Sequence, residues 1–259
     1  MGGLFTDSVS SNTLEGENYV IIQQLSRYLI KTFKSAQAGK APVGNATYLQ
    51  SISKLQYLIV TVAKPEDLRN TENQLAAFAN RAGYLIAQTC QRLDALVEKG
   101  QSFTSAFQAV QWLGFRAARA HCMYSMLVSF VKQVELAKTN EPTLYPVLKN
   151  LCDLYALYYT ERELGEFLEA SQYSPVQAGW IHEQVEAIMR EIRPNAVALV
   201  DAFNHSDRDL NSALGRYDGN VYEALFEWTK RDPMNKTDVV ACYEDTIKPI
   251  VTKQYKSKM

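Results

Sequence analysis

The chain has 259 residues, 47% of them apolar and 21% charged, with a formal net charge of -1. That length buries a real core without staples, in one or two domains. The balanced charge removes the basic field that a nucleic-acid binder uses. "MGGLFTDSVSSN" has no signal-peptide pattern, and apolar runs such as "YLIVTVA" and "AVALV" are too short to cross a bilayer. We expect a soluble protein with neither nucleic acid nor membrane as partner. Cys90, Cys122, Cys152 and Cys242 lie far apart with no CxxC, and are expected to be buried free thiols in a reducing compartment.

In chain order the first element follows "EGEN". Val20, Ile21, Leu25, Tyr28, Leu29, Ile30 and Phe33 step by three and four, predicting a helix over residues 17–38 that ends in the Gly- and Pro-containing "SAQAGKAPVG". "TYLQSISKLQYLIVTVA" is rich in β-branched residues but finds no second strand, and is read as mostly helix. "KPEDLRNTENQLAAFANRAGYLIAQTCQRLDALVEKG" opens on Pro and acids and closes on Lys99-Gly100, predicting one long helix. A second runs from Ser102 to about Lys138, and the short loop between them implies antiparallel neighbours. "NEPTLYPVLKNLCDLYALYYTERELGEFLEASQY" gives one or two more. "SPVQAGWIHEQVEAIMREI" starts with Ser174 as N-cap and Pro175 at the first helical position. "PNAVALVDAFN", "NVYEALFEWTKR" and "TDVVACYEDTIKPIVTKQY" complete an all-α, long-helix bundle.

Familiar chemistry is missing. GxGxxG, P-loop and GxSxG motifs are absent. "HEQVE" puts Glu186 where a zinc helix needs its second His, so a metal site is not expected. His121, on an apolar stripe, reads as a hydrogen-bonded core histidine. Tyr155, Tyr158, Trp180 and Trp228 read as core.

Two short stretches remain. In "NTLEGENYV", Asn12-x-x-Glu15 is compatible with a capping box, and Glu15 and Glu17 suit the positive end of a helix dipole. That reading is purely structural. However, "FTDSVSSNTLEGENYVIIQQLSRYLIK" resembles the active-site segment of the peroxisomal acyl-CoA oxidases, where Glu-Gly-Glu-Asn precedes an apolar helix with later Arg and Lys, here Arg27 and Lys31. "YDGNVYEALFEWTKRDPMNK", residues 217–236, is similar to that family's C-terminal signature. The resemblance covers essentially the whole chain.

The resemblance implies residues 1–45 as the catalytic-Glu segment with the last helix of a first helical domain. It implies 46–252 as a C-terminal helical bundle similar to those of acyl-CoA oxidases and dehydrogenases, and 253–259 as a tail. It also implies FAD-dependent oxidation of a fatty acyl-CoA by O2 to trans-2-enoyl-CoA and H2O2, the first step of peroxisomal β-oxidation. Glu15 becomes the catalytic base and Gly16 and Asn18 cofactor contacts, in a homodimer. An α-proton beside a thioester is a weak acid, so its removal needs a carboxylate within hydrogen-bond reach and with a raised pKa. The flavin-bearing domains of the family are expected upstream of such a segment, so the chain is expected to be inactive alone and unable to build the flavin site by itself. The alternative is a non-catalytic acyl-chain-binding or dimerisation module. Ser257-Lys258-Met259 resembles the Ser-Lys-Leu address read by the peroxisomal import receptor.

Overall fold

A computed structural model describes residues 18–256. These divide into two compact bodies, one up to Ala196 and one from Val197 onward. No strand occurs among the described residues, as the periodicity predicts.

The first body is built on α1 (Asn18–Gln37), α2 (Leu49–Ile52), α3 (Thr71–Glu98), α4 (Phe103–Ala109), α5 (Gln111–Asn140), α6 (Tyr145–Arg162), α7 (Leu164–Glu169) and α8 (Pro175–Ile192). Helices α3 and α5 pack along each other as the spine. One apolar cluster joins α1, α2, α4 and parts of both spine helices around Leu29, Phe33, Ile52, Leu85 and Leu93. The other joins the remaining parts to α6, α7 and α8 around Phe78, Leu127, Leu157, Phe167 and Ile181. At the C-terminal end of α1, Gly39 sits at φ +87°, a backbone state open to glycine at no steric cost. It lets the Lys40 N–H donate back to the Ser35 carbonyl (2.9 Å).

The expected single helix over 65–99 is two pieces. A 3-10 turn at Pro65–Arg69 precedes α3. Between them Asn70 is extended, and its side chain accepts the Asn73 N–H (3.0 Å) as N-cap. The expected helix from Ser102 breaks at buried Val110, which separates α4 from α5. Ser174 and Gln177 form the capping box of α8.

The mostly-helix reading of residues 47–63 is corrected. Only α2 is helical, and the chain from Gln56 to Val62 has no regular secondary structure. Side-chain amides replace the missing strand partner. The Leu58 N–H donates to Asn80 Oδ1 (2.8 Å) while Asn80 Nδ2 donates to the Leu58 carbonyl (2.8 Å). Thr61 makes the same two-way exchange with Asn73 (3.1 and 2.6 Å), and Gln177 Nε2 donates to the Val62 carbonyl (2.7 Å). Backbone groups that a sheet would satisfy are thereby paired.

Other expectations divide. Cys90 and Cys152 are buried free thiols, with burial raising them to about 12 and about 11. Cys122 and Cys242 are free but exposed, contrary to expectation. Tyr155 and Trp180 pack on the core, whereas Tyr158 and Trp228 are substantially exposed.

His121 is a buried core histidine, as predicted. Its Nδ1 lies 3.0 Å from the Tyr48 hydroxyl and its Nε2 3.4 Å from Ser125 Oγ, with no carboxylate on either nitrogen. Burial lowers its pKa. The folded state therefore resists protonation, so the stability this residue contributes is complete above the unfolded value of about 6.5 and is lost as pH falls through the depressed folded value. Urea midpoints should drop between about pH 8 and about pH 5, and His121→Gln should flatten that slope.

Two glycines permit close helix approach. A Cβ on Gly83 would lie 2.7 and 2.8 Å from the γ carbons of fully buried Ile52. A β-branched core side chain cannot swing away, so Gly83→Ala should cost about 1–3 kcal/mol despite better helix propensity. At Gly114 the principal obstacle is the Ser26 hydroxyl, which can rotate. Gly114→Ala should therefore stay within about 1 kcal/mol of the parent, the helix gain offsetting the rearrangement. Urea unfolding of both variants checks the contrast.

The second body holds α9, of which Val197–Asp201 belongs here (Ala196–Asp201 in full), with α10 (Asp207–Leu210), α11 (Val221–Arg231) and α12 (Lys248–Lys256). Ser206 caps α10 by accepting the Asp209 N–H (3.2 Å). Arg216 grips Asp218, holding its carboxyl down at about 2. Large apolar side chains on α11, including Tyr222 and Phe226, are exposed.

Candidate functional site

Asn18, the first described residue of α1, lines a cleft of about 780 Å³ against α5 and α7. Its walls are apolar and aromatic. Tyr19 and Phe115 approach at 5.3 Å between ring centroids, and Trp112 meets Phe115 edge-on at 6.5 Å. Ile22 and Leu25, one and two turns along α1, continue the wall.

The opposite rim is charged and held from below. Arg81 on α3 is 1% exposed. Its Nε donates to Glu166 Oε2 (2.7 Å), its Nη2 lies 2.5 Å from the same oxygen, and its guanidinium stacks over Phe167 at 5.1 Å. A longer contact of 3.7 Å reaches Glu163. The two glutamates then fix the cleft arginines. Arg116 Nε donates to Glu166 Oε1 (2.7 Å), and Arg119 Nη2 lies 2.8 Å from Glu163 Oε1. The hydrogen bond to Glu166 raises the Arg116 pKa. Arg81, buried as deeply as it is, needs such pairing, because desolvating a lone cation costs several kcal/mol.

Of the expected site residues, Asn18 lines this cleft. Glu15 and Gly16, and Ser257, Lys258 and Met259, lie outside the described residues. Sequence reasoning missed Arg81, Arg116, Arg119, Glu163 and Glu166. The available signal was two oppositely charged pairs, each three residues apart and so sharing a helical face. Among the described residues no cluster of His, Cys, Asp or Glu could hold a metal, and no helix is long and apolar enough to cross a membrane.

Fold and cleft together define an all-helical domain that offers an aromatic-walled, amphipathic cleft to a ligand with a flat or apolar body. The acyl-CoA oxidase family model matches residues 70–252, and the chain belongs to that family. It is 36% identical over 254 residues to peroxisomal acyl-coenzyme A oxidase 1 of Arabidopsis thaliana, covering 98% of this chain and 38% of that protein. It is 37% identical over 244 residues to the Rattus norvegicus protein of the same name, covering 93% and 37%. The solved structure of Arabidopsis thaliana acyl-CoA oxidase 1 superposes with TM-score 0.83 at 36% identity, over 95% of this chain and 37% of that one. Acyl-CoA oxidase-1 of Caenorhabditis elegans, crystallised with FAD and ATP, gives 0.82 at 30% identity over 95% and 36%. The chain thus spans less than two-fifths of the length of these relatives.

Proposed function

We propose that this chain is the base-bearing helical part of a peroxisomal, FAD-dependent acyl-CoA oxidase, converting a fatty acyl-CoA and O2 to trans-2-enoyl-CoA and H2O2. The observation that carries the reading is Asn18 at the cleft rim, in a chain of this family. Glu15 precedes it by three residues, so covalent reach alone keeps the two Cα atoms within about 11 Å.

The residue types suit the cofactor. A flavin ring has broad apolar faces and an amide-like polar edge, and the cleft offers aromatic walls with the Asn18 amide at its rim. In this proposal Asn18 and the backbone at Gly16 hold that polar edge, and the missing Cβ of Gly16 allows close approach. Bound flavin supplies the hydride acceptor and the route to oxygen. Glu15 takes the α-proton of the thioester onto a carboxylate oxygen. The chain alone is inactive in this reading, because it spans only part of its relatives. The test is peroxide release on palmitoyl-CoA by a chimera joining this chain to the portion of a peroxisomal acyl-CoA oxidase that it does not span. Turnover that needs both parts supports the reading, and turnover indifferent to this chain contradicts it.

A homodimer and the peroxisome belong to the same proposal. The exposed apolar face of α11 is the support for a subunit contact, and the names of the relatives are the support for the compartment. A fluorescent reporter carrying the last dozen residues should enter peroxisomes through Ser257-Lys258-Met259. Diffuse signal contradicts the assignment.

A further inference from the structure

His121, Ser125 and Ser129 fall at successive four-residue steps on α5 and so share one face. Ser125 and Ser129 line a groove of about 540 Å³ that Asn45, Met126, Phe130 and Tyr155 complete. None of these residues lines the cleft of the proposed oxidase site. We propose that the groove is a second active site, in which Ser125 is the nucleophile and His121 its general base, and that it hydrolyses uncharged carboxylic esters. The activity is independent of the proposed oxidase chemistry.

A nucleophile, a base and a group that orients the base are all in place. His121 Nε2 lies 3.4 Å from Ser125 Oγ, and Nδ1 lies 3.0 Å from the hydroxyl of buried Tyr48. The serine contact is at the loose end of hydrogen-bond reach, as is common for such pairs without substrate. The Tyr48 ring also lies within 28° of parallel to the imidazole, at 5.9 Å between centroids, which limits its rotation. In the working tautomer Nδ1–H donates to the Tyr48 oxygen, leaving the Nε2 lone pair toward Ser125. Burial keeps the imidazole neutral, so that lone pair is available near neutral pH. Burial also keeps the Tyr48 phenol un-ionised. It steadies an imidazolium less than a carboxylate does, so slow turnover is expected.

The groove supplies the remaining parts. The Asn45 amide and the Ser129 hydroxyl line it and, among the described residues, have no hydrogen-bond partner. They are the donors for an oxyanion. Met126, Phe130 and Tyr155 form an apolar wall, and none of the six lining residues is charged. The site therefore suits a small apolar acyl group and has nothing to receive a polyphosphate. Its volume falls in the range of small-molecule sites. Ser125 Oγ adds to the ester carbonyl carbon as its proton passes to His121 Nε2. Collapse of the tetrahedral adduct breaks the bond to the alkoxy oxygen, which leaves with that proton as the alcohol. Water then attacks the acyl-Ser125, one of its protons returning through Nε2 to Oγ, and the carboxylic acid is released.

Hydrolysis of p-nitrophenyl butyrate by the 259-residue chain, with mass mapping after diisopropyl fluorophosphate treatment, tests the proposal. Saturable release of p-nitrophenol and a phosphoryl adduct on Ser125 are expected. Ser125→Ala should remove both, and His121→Gln should slow labelling at least about a hundredfold. Tyr48→Phe should lower the maximal labelling rate about tenfold, the worth of one hydrogen bond, while the reagent concentration giving half that rate holds. A tyrosine that only packs would not produce that split. Ser125 is half-buried, so an unchanged urea midpoint serves as the folding control for its variant. Saturable release that survives Ser125→Ala, an adduct on another residue instead, or no adduct at all would overturn the proposal.

Discussion

Replacing Arg81 by Met should cost about 3–5 kcal/mol of stability, because it strands two largely buried carboxylates that the guanidinium now neutralises. Glu166 is 12% exposed and Glu163 16%, so water compensates little of the lost charge. The loss should fall toward the lower end, since Arg116 and Arg119 remain on the outer carboxylate oxygens. Packing adds a smaller share through the lost stack on Phe167. Coupling is the sharper test. Arg81→Met combined with Glu166→Gln should recover much of the loss, because the second change removes the stranded charge. Urea unfolding of the two single variants and the double variant measures this directly. Strict additivity would show that Glu166 does not depend on Arg81.

The other large effect belongs to Glu15. In the joined protein, Glu15→Gln should lower turnover by about 10²–10⁴-fold, the usual share of a positioned general base. Glutamine keeps the size and one acceptor oxygen of the side chain but cannot take the proton. Substrate affinity and unfolding midpoint should therefore stay near those of the parent, so that kcat falls while KM holds. If the cluster at 15–18 only caps a helix, the same substitution should change stability by a few tenths of a kcal/mol and leave turnover intact.

Helix content was legible because it rests on local signals. Apolar spacing marks α1 and α3, and Ser174 with Pro175 marks the start of α8 to the residue. The misreadings have tertiary causes. Residues 56–62 carry a β-branched composition, but the groups that settle their backbone are Asn73, Asn80 and Gln177, the last more than a hundred residues away. The break at Val110 is invisible because valine is no helix stop, and burial holds it there. At the site, motif resemblance pointed to Asn18, which lies on the cleft. The charged rim left only the three-residue spacing of Arg116 with Arg119 and of Glu163 with Glu166 as a signal, and nothing marked Arg81. Arg81 sits among alanines and looks like any surface arginine until its partners arrive from α7 and the turn before it, some eighty residues later.

The central claim is that Glu15 removes the proton next to the thioester while hydrogen leaves the neighbouring carbon. It is tested most directly by mixing the joined protein with acyl-CoA in oxygen-free buffer and following the loss of flavin absorbance. Parent protein should bleach rapidly, and more slowly with substrate deuterated at the α carbon. Glu15→Gln should bind the same substrate and stay yellow. Bleaching of the Glu15→Gln protein at the parent rate would contradict the account.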